Sequence, residues 1–559
     1  MLRKSIIPTI YFPAILVLLL ASCGEKPVPK EKDIVQQTEL MDDRIRANAR
    51  QILDYARINN GRINDSILLQ EYTLIEPLYN KNDFSPFWSA DGVWHREADS
   101  LFAFIRDCKT YGLFPNDYHF HALSGIRERV ISDSLAQKDA VVWTRADLMF
   151  TDAFMLIAKH LKKGRLDFDS TTLRRDTILP VDFYTRAFEL FRNTKNASFV
   201  FRQIEPKHEL YTGLRKALSA FLDTTEFRRT TWLDYPYKDS LTFYRALQMR
   251  LFEENLLMSA TTPPDTATLR GALRKFQASK NLKVTGRVNE PTVSSLNNTE
   301  WEQFKKIAIN LDRLKLLPDT LPPVYVWVNI PSYNLKLVDT DSVVLTSRVI
   351  VGTTKTRTPV LNSDIANFIT YPQWTVPYSI IFKEMLPQIQ KDTNYLKRQN
   401  LIVVDKDDNI ISPDSVNWNK LNKKYFPYLL KQRQGDDNSL GVLKFNFRNK
   451  YAVYLHDTNA RWLFGKSNRA LSHGCVRVQE WQKLAHYLVR NDTVRYHQDT
   501  LRNWINRQEK HIVAGFPKVP IFIRYFTAEG KDGKIRFYDD IYGEDRILRQ
   551  KYFAQKSIN

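Results

Sequence analysis

The segment HDTNARWLFGKSNRALSHGCVRVQEW, running from His456 to Trp481, concentrates the side chains suited to nucleophilic catalysis. It contains Ser472-His473-Gly474-Cys475-Val476-Arg477, and Cys475 is the only cysteine in the chain with two histidines and several arginines close in sequence. A thiol attacks as its thiolate, so its pKa must fall from ~8.5, which a neighbouring imidazolium or guanidinium achieves. Histidine is the natural base, because its unperturbed pKa of ~6.5 lies near working pH. Two histidines compete for that role. His473, two residues before the cysteine, shares a face with it in extended backbone but diverges if Gly474 makes a turn. His456 lies 19 residues upstream at a strand end and reaches the thiol if the loop from Asn459 to Leu471 folds back. Gly474 allows close backbone approach, and the N–H groups of Gly474 and Cys475 are candidates for an oxyanion hole.

Two other readings use the same residues. His456, Asp457, His473 and Cys475 are all possible zinc ligands, but H-x-C is an awkward ligand spacing and neither C-x₂₋₄-C nor H-x₃₋₅-H occurs here, so no metal is expected. Alternatively, Cys475 is a buried structural thiol and the histidines satisfy local hydrogen bonds. Their clustering in a loop-rich segment directly after the strand YAVYL weighs against that.

The elements that must position these residues have period two. VYVWVNIPSYNLKLV and SVVLTSRVIVG alternate apolar and polar residues between Pro, Asp and Gly, as antiparallel strands do. KFNFR, YAVYLH and PIFIRYFTA add further strands, so residues 324–559 form a largely β domain. Within it, residues 383–434 read as helical and polar, an insertion of the length that commonly serves as a lid.

Upstream the pattern is helical. Residues 41–240 form a helical scaffold, with apolar spacing of three and four in RADLMFTDAFMLIAKHLKKG closing at Gly164. Cys108 sits among helical apolar positions without a histidine nearby and is expected to be inert packing. Residues 241–298 form a second unit of short helices around a turn at Gly286, and 299–323 a linker helix. The architecture is therefore multidomain α+β, as expected of 559 residues at ~100–200 per domain.

The N-terminus carries Arg3 and Lys4, an apolar stretch from Ile6 to Ala21, and Leu20-Ala21-Ser22-Cys23, the layout of a secretory signal. The stretch is shorter than the ~20 residues of a membrane span and contains Pro8 and Pro13, so cleavage is expected. The Leu-Ala-Ser-Cys ending resembles a bacterial lipobox, which implies a signal peptide over 1–22, lipidation of Cys23, and a membrane attachment through that lipid. Residues 23–40 read as a polar tether. The expected location is periplasmic, with the outer membrane favoured because Gly24, not Asp, follows the cysteine. Lys and Arg outnumber Asp and Glu by 82 to 62, a formal +20. Outside the cytoplasm that excess points to carboxylate-bearing wall polymer or anionic headgroups, and not to nucleic acid.

Two resemblances add to this reading. In residues 241–298, Phe276, Gln277, Gly286, Val288, Thr292, Leu296 and Asn297 resemble the signature of the small three-helix peptidoglycan-binding domain, whereas Asn281, Thr285 and Asn289 replace its usual Gly, Asp and Gly. The His456-to-Arg477 segment resembles the catalytic signature of the L,D-transpeptidases. Asn329-Ile330-Pro331, Arg357-Thr358-Pro359, Trp374 with Val376-Pro377, and Asp540-Ile541-Tyr542-Gly543 resemble that family's large branch, which joins a scaffold, a peptidoglycan-binding domain and a YkuD-type catalytic domain with a capping insertion. The resemblance implies Cys475 as nucleophile and His456 as its base, oriented by the backbone carbonyl of Asp457. It implies that His473 and Gly474 shape the oxyanion site, that Arg477 holds substrate or orders the loop, and that Tyr454 and Trp374 line the substrate groove. It further implies peptidoglycan stem peptides as substrate, no cofactor, and inhibition by carbapenems. L,D-carboxypeptidase activity and a non-catalytic wall-binding lipoprotein are the alternatives.

Overall fold

The computed structural model describes residues 28–167, 178–553 and 556, so the signal segment and Cys23 lie outside the described residues. The chain divides into two compact units, Met1–Phe102 with Tyr118–Leu156, and Ala103–Asp117 with Ile157–Asn559.

The first unit is helical. In the helix Met41–Ile58, Ile45, Ala49, Ile52, Leu53 and Ala56 recur at helical spacing and are all buried. The fully buried side chain of Asp147 accepts the backbone N–H groups of Phe87 and Trp88 at 3.0 and 2.9 Å, together with the Tyr79 hydroxyl. The stretch read as a tether is docked from Asp33 onward. Asp33 N–H donates to the Asp139 carboxylate at 2.9 Å, Val35 N–H donates to Lys138 at 2.9 Å, and Val35 is buried. An apolar side chain and a capped backbone give that segment something to pack, which its overall polarity concealed.

In the second unit, Gly164 adopts φ +74° at the end of the helix Ala140–Lys163, the left-handed position that ends a helix without a Cβ clash. Cys108 is fully buried, and burial pushes its thiol well above the ordinary range. Residues 240–296 hold three helices, Ser240–Glu253, Thr266–Ser279 and Glu290–Leu296, around their own core of Leu247, Leu251, Leu273, Phe276, Val293 and Leu296. The buried Gln277 side chain ties its turn together. Its carbonyl oxygen accepts the N–H groups of Thr285 and Gly286 at 2.8 and 2.9 Å, and its amide donates to the Arg287 carbonyl and Thr292 hydroxyl, both at 2.9 Å. Leu233, ahead of the expected boundary, belongs to the same core and is held by the Asn297 side chain.

The helix Glu300–Leu314, read as a linker, is a core element. Phe304, Ile307, Ala308 and Leu311 are buried against Tyr325, Trp327, Phe522 and Phe526 of the sheet that follows. That sheet uses β1 (Val324–Asn329), β2 (Asn334–Asp339), β3 (Ser342–Gly352) and β4 (Leu361–Thr370). Then come β5 (Trp374–Thr375), β6 (Leu401–Val404), β7 (Ile410–Ile411) and β8 (Leu429–Gln432), which form a separate four-stranded sheet in the order β5-β8-β6-β7. The main sheet resumes with β9 (Leu443–Phe447), β10 (Leu455–His456), β11 (Ala470–Ser472), β12 (Val476–Val478) and β13 (Ile512–Arg524). Its order is β11-β3-β12-β10-β9-β4-β13-β1-β2, with β2 also pairing β3, so the sheet closes on itself. Alternation along β1 sends Val326 and Val328 to the closed core and Tyr325 and Trp327 to the helix Glu300–Leu314.

The insertion differs from its helical reading. It begins ahead of residue 383, since Val376 and Ile381 share a core with Ile389, Val403, Trp418 and Leu430, and Trp374–Thr375 joins the β5–β8 sheet that stands beside its short helices. The stretch Trp418 to Gln434 contributes a short 3₁₀ turn and then β8, because Pro427 precludes a continuous helix there.

Candidate active site

Strand register explains why the chemistry gathers on one surface. Strand β9 pairs β10 with Lys444 opposite His456 and Phe445 opposite Leu455. Strand β10 runs parallel to β12 with Leu455 beside Val476 and His456 beside Arg477. Leu443, Phe445, Leu455, Val476 and Val478 are core residues. The alternate positions, Lys444, His456 and Arg477, therefore share the opposite face, and Tyr454 and Cys475 immediately precede β10 and β12. The Tyr454 carbonyl accepts the Val476 N–H at 3.1 Å, and Tyr454 lies 5.6 Å from the His456 ring, edge to face.

Cys475 stands at the exit of a tight turn. The Ser472 hydroxyl accepts the Gly474 N–H at 3.1 Å and donates to the Cys475 carbonyl at 2.6 Å. Gly474 has φ +121°, and a Cβ there would meet only ordinary contacts, so conformation and not space calls for glycine. Thr358 donates its hydroxyl to the Gly474 carbonyl at 2.8 Å while accepting the Gly352 N–H at 2.8 Å. The Thr358 N–H in turn donates to the Tyr542 hydroxyl at 3.1 Å. Tyr542 also donates to the Gly352 carbonyl at 2.6 Å. The distant Arg357-Thr358-Pro359 and Asp540–Gly543 segments thus converge to hold the cysteine turn. The Gly474 N–H, one of the two oxyanion-hole candidates, donates to Ser472 within that turn. The Cys475 N–H has no hydrogen-bond partner among the described residues.

Burial raises the Cys475 thiol, opposed by Tyr454 and by the cations Lys444 and Arg477. The thiol also makes a weak hydrogen bond to the Ala452 carbonyl, at 3.9 Å. His456 is 5% exposed, and burial with the nearby Arg477 charge lowers its pKa to about 3. The imidazole is therefore neutral at rest, the form a base requires. Its Nδ1 is buried and makes no well-directed hydrogen bond, although the Asp457 and Leu440 carbonyls lie close enough to favour the protonated ring. The Asp457 carboxylate is engaged elsewhere, accepting the Val442 N–H at 3.1 Å and the Arg461 guanidinium at 3.0 and 2.6 Å. Gly441, at φ +61°, packs against it so tightly that a Cβ would sit 2.3 Å from the carboxylate.

The structure separates the two histidines. His473 is exposed and pairs with Glu384 of the insertion at 2.8 Å. That contact joins the cysteine turn to the insertion, and the ring is turned to a carboxylate and not to the thiol. With Asp457 and His473 so occupied, the four residues considered as zinc ligands do not converge, and no group of three or more metal-binding side chains occurs among the described residues. Tyr454 adjoins both Cys475 and Trp374, and burial raises its phenol. Trp374 enters on β5 with its indole nitrogen buried and unpaired. Arg477 is largely buried, with an unpaired Nε.

Lys444, Ser472 and Tyr542 are site residues that motif reading did not single out for a role. The signal for Lys444 is the alternation of LKFNF, which places a lysine on the face its apolar neighbours avoid. Ser472 and Tyr542 act through hydrogen bonds that spacing alone does not reveal.

Residues 323–495 match the family model of the L,D-transpeptidase catalytic domain, YkuD, and residues 73–218 match the Scaffold domain. A Haemophilus influenzae protein named "Putative L,D-transpeptidase" is 38% identical over 259 residues, covering 46% of this chain and 50% of its own. The chain thus spans about half the length of the curated relative it matches. The chain carries a YkuD L,D-transpeptidase catalytic domain together with a Scaffold domain.

Proposed function

We propose that this protein is a peptidoglycan L,D-transpeptidase that forms 3→3 cross-links through a thioester on Cys475. The observation that carries the reading is the single polar sheet face on which Cys475, a neutral buried His456 and two cations are set side by side by strand register. In the first step His456 takes the thiol proton as sulfur attacks the carbonyl of the third residue, a diamino acid, of a tetrapeptide stem. The tetrahedral oxyanion is met by the Cys475 N–H. Collapse expels the terminal D-Ala, whose amine receives the proton from His456. In the second step the side-chain amine of another stem attacks the thioester, loses a proton to His456, and releases the thiol. Transfer in preference to hydrolysis requires water to be kept from the thioester, and the insertion joined to the cysteine turn through Glu384 and His473 is placed to do that.

Arg477, Tyr454 and Trp374 are assigned to substrate binding, and carbapenems to acylation of the same thiol. Lipidation at Cys23, a periplasmic location and wall binding by residues 241–298 complete the proposal. The test is incubation of the purified full-length protein with tetrapeptide muropeptides, beside Cys475→Ala and His456→Ala. Cross-linked dimers and free D-Ala are expected from the parent alone. Dimers from Cys475→Ala would refute the nucleophile, and tripeptides alone would make the protein a carboxypeptidase.

A further inference from the structure

Two cations on the thiol face have no counter-ion of their own. Lys444 is half-buried on the central strand β9, and its ammonium lies 4.1 Å from the centre of the Tyr454 ring. Arg477 is on β12 with an unpaired buried Nε. Neither has a carboxylate partner among the described residues. The acidic groups already placed in the site are committed, Asp457 to Arg461 and the Val442 N–H, and Glu384 to His473. A partly desolvated, unpaired charge is costly. Such a charge is retained where it meets an anion at some stage of the work, and the face offers one candidate that comes and goes, the Cys475 sulfur.

We propose that Lys444 is the electrostatic partner of the Cys475 thiolate, setting the acidity of the nucleophile from the neighbouring strand with the Tyr454 ring holding its ammonium in place. This rests on the reading of Cys475 as nucleophile. Around the sulfur, strand register sets Lys444 of β9 opposite His456 of β10 and His456 beside Arg477 of β12, while Tyr454, just ahead of β10, lies under the Lys444 ammonium with Trp374 of β5 beyond it. Three are uncharged at rest, which leaves the two cations to oppose the cost of a buried thiolate. The interaction acts in both directions. Burial lowers the Lys444 ammonium, a Cys475 charge raises it, and Lys444 in turn lowers the thiol. Arg477 is always protonated, so Lys444 is the member whose replacement by a neutral chain of similar length isolates the charge.

The test is alkylation of the full-length protein by iodoacetamide across pH, followed at the Cys475 peptide by mass spectrometry. The sulfur–carbon bond forms as iodide leaves, and the thiol proton passes to His456 or solvent, so the rate reports thiolate and needs no transpeptidation. An opposite charge within ~4–6 Å shifts a pKa by roughly one to three units. Lys444→Met is expected to move the midpoint upward by about one unit and to slow alkylation at pH 7 about tenfold, while Lys444→Arg stays near the parent profile. A merely structural lysine would alter melting temperature without moving the midpoint. In the unmutated protein, S-methylation of Cys475 is expected to lower the Lys444 titration measured by NMR. An unchanged midpoint in folded Lys444→Met, or an unchanged Lys444 titration after methylation, would overturn the proposal. Cross-linking by the parent alongside an unmoved midpoint would sink this inference and leave the function standing. A moved midpoint without cross-linking would do the reverse.

Discussion

At the scale of single residues, the site depends on a histidine that burial keeps neutral and a thiol that burial keeps protonated. His456 has a pKa of about 3 in the folded chain and ~6.5 when unfolded. Its folded pKa is depressed, so between those values the unfolded state binds the extra proton. The stability it contributes is full above pH 6.5 and is lost as pH falls toward 3. His456→Gln is therefore expected to flatten the fall of melting temperature between pH 6.5 and 4, measured by calorimetry, while abolishing cross-linking. An equally steep fall in the variant would place the acid sensitivity elsewhere. Cys475, His456 and Arg477 were legible in the sequence as candidates, because a thiol, imidazoles and a guanidinium lie close together there. The separation of His456 from His473 was not, since it depends on Gly474 turning the backbone and on Glu384, 89 positions away, capturing the second ring.

At the scale of elements, the cysteine turn is held from outside itself. Thr358 bridges Gly352 and Gly474 within a network that Tyr542 completes, so three remote segments fix where the sulfur stands. Thr358→Val keeps the shape and removes the hydroxyl, leaving the Gly474 carbonyl and Gly352 N–H unsatisfied. A loss of roughly 10²-fold in kcat with little change in KM is expected in a steady-state assay, since ångström-scale misplacement of a reacting group has that cost. A rise in KM at constant kcat would assign Thr358 to binding instead. The strands were readable from their period, because alternation reports which face is buried. The β5–β8 sheet of the insertion was not, because its strands are two to four residues long and too short for any period to register. The helix Glu300–Leu314 looked like a linker only because its partner, the Tyr325 and Trp327 face, lies in a different part of the sequence.

Across the whole molecule, separate cores imply separable properties. The three-helix module has its own core, and Gln277 is its polar keystone. Gln277→Ala strands two backbone N–H groups and should cost on the order of 2–3 kcal/mol of the module's stability. Hydrogen exchange should show protection lost over residues 266–297 and kept in the β domain, with cross-linking of soluble stems unaffected. Loss of protection throughout would show the cores to be one cooperative unit. The Phe276-Gln277 signature was visible in the sequence, but its meaning is structural: a buried amide closing a turn, which persists even though Asn281, Thr285 and Asn289 depart from the usual pattern.

The central claim is that Cys475 carries the acyl group. Its most direct test is the intact mass of the protein quenched in acid during reaction with a tetrapeptide stem. A gain equal to the mass of the stem less that of free D-Ala, which carries away the thiol hydrogen, mapped to Cys475 and absent from Cys475→Ala, is the expected result. Cross-linked product formed by the Cys475→Ala variant, or an acyl adduct mapped to another residue, would contradict it.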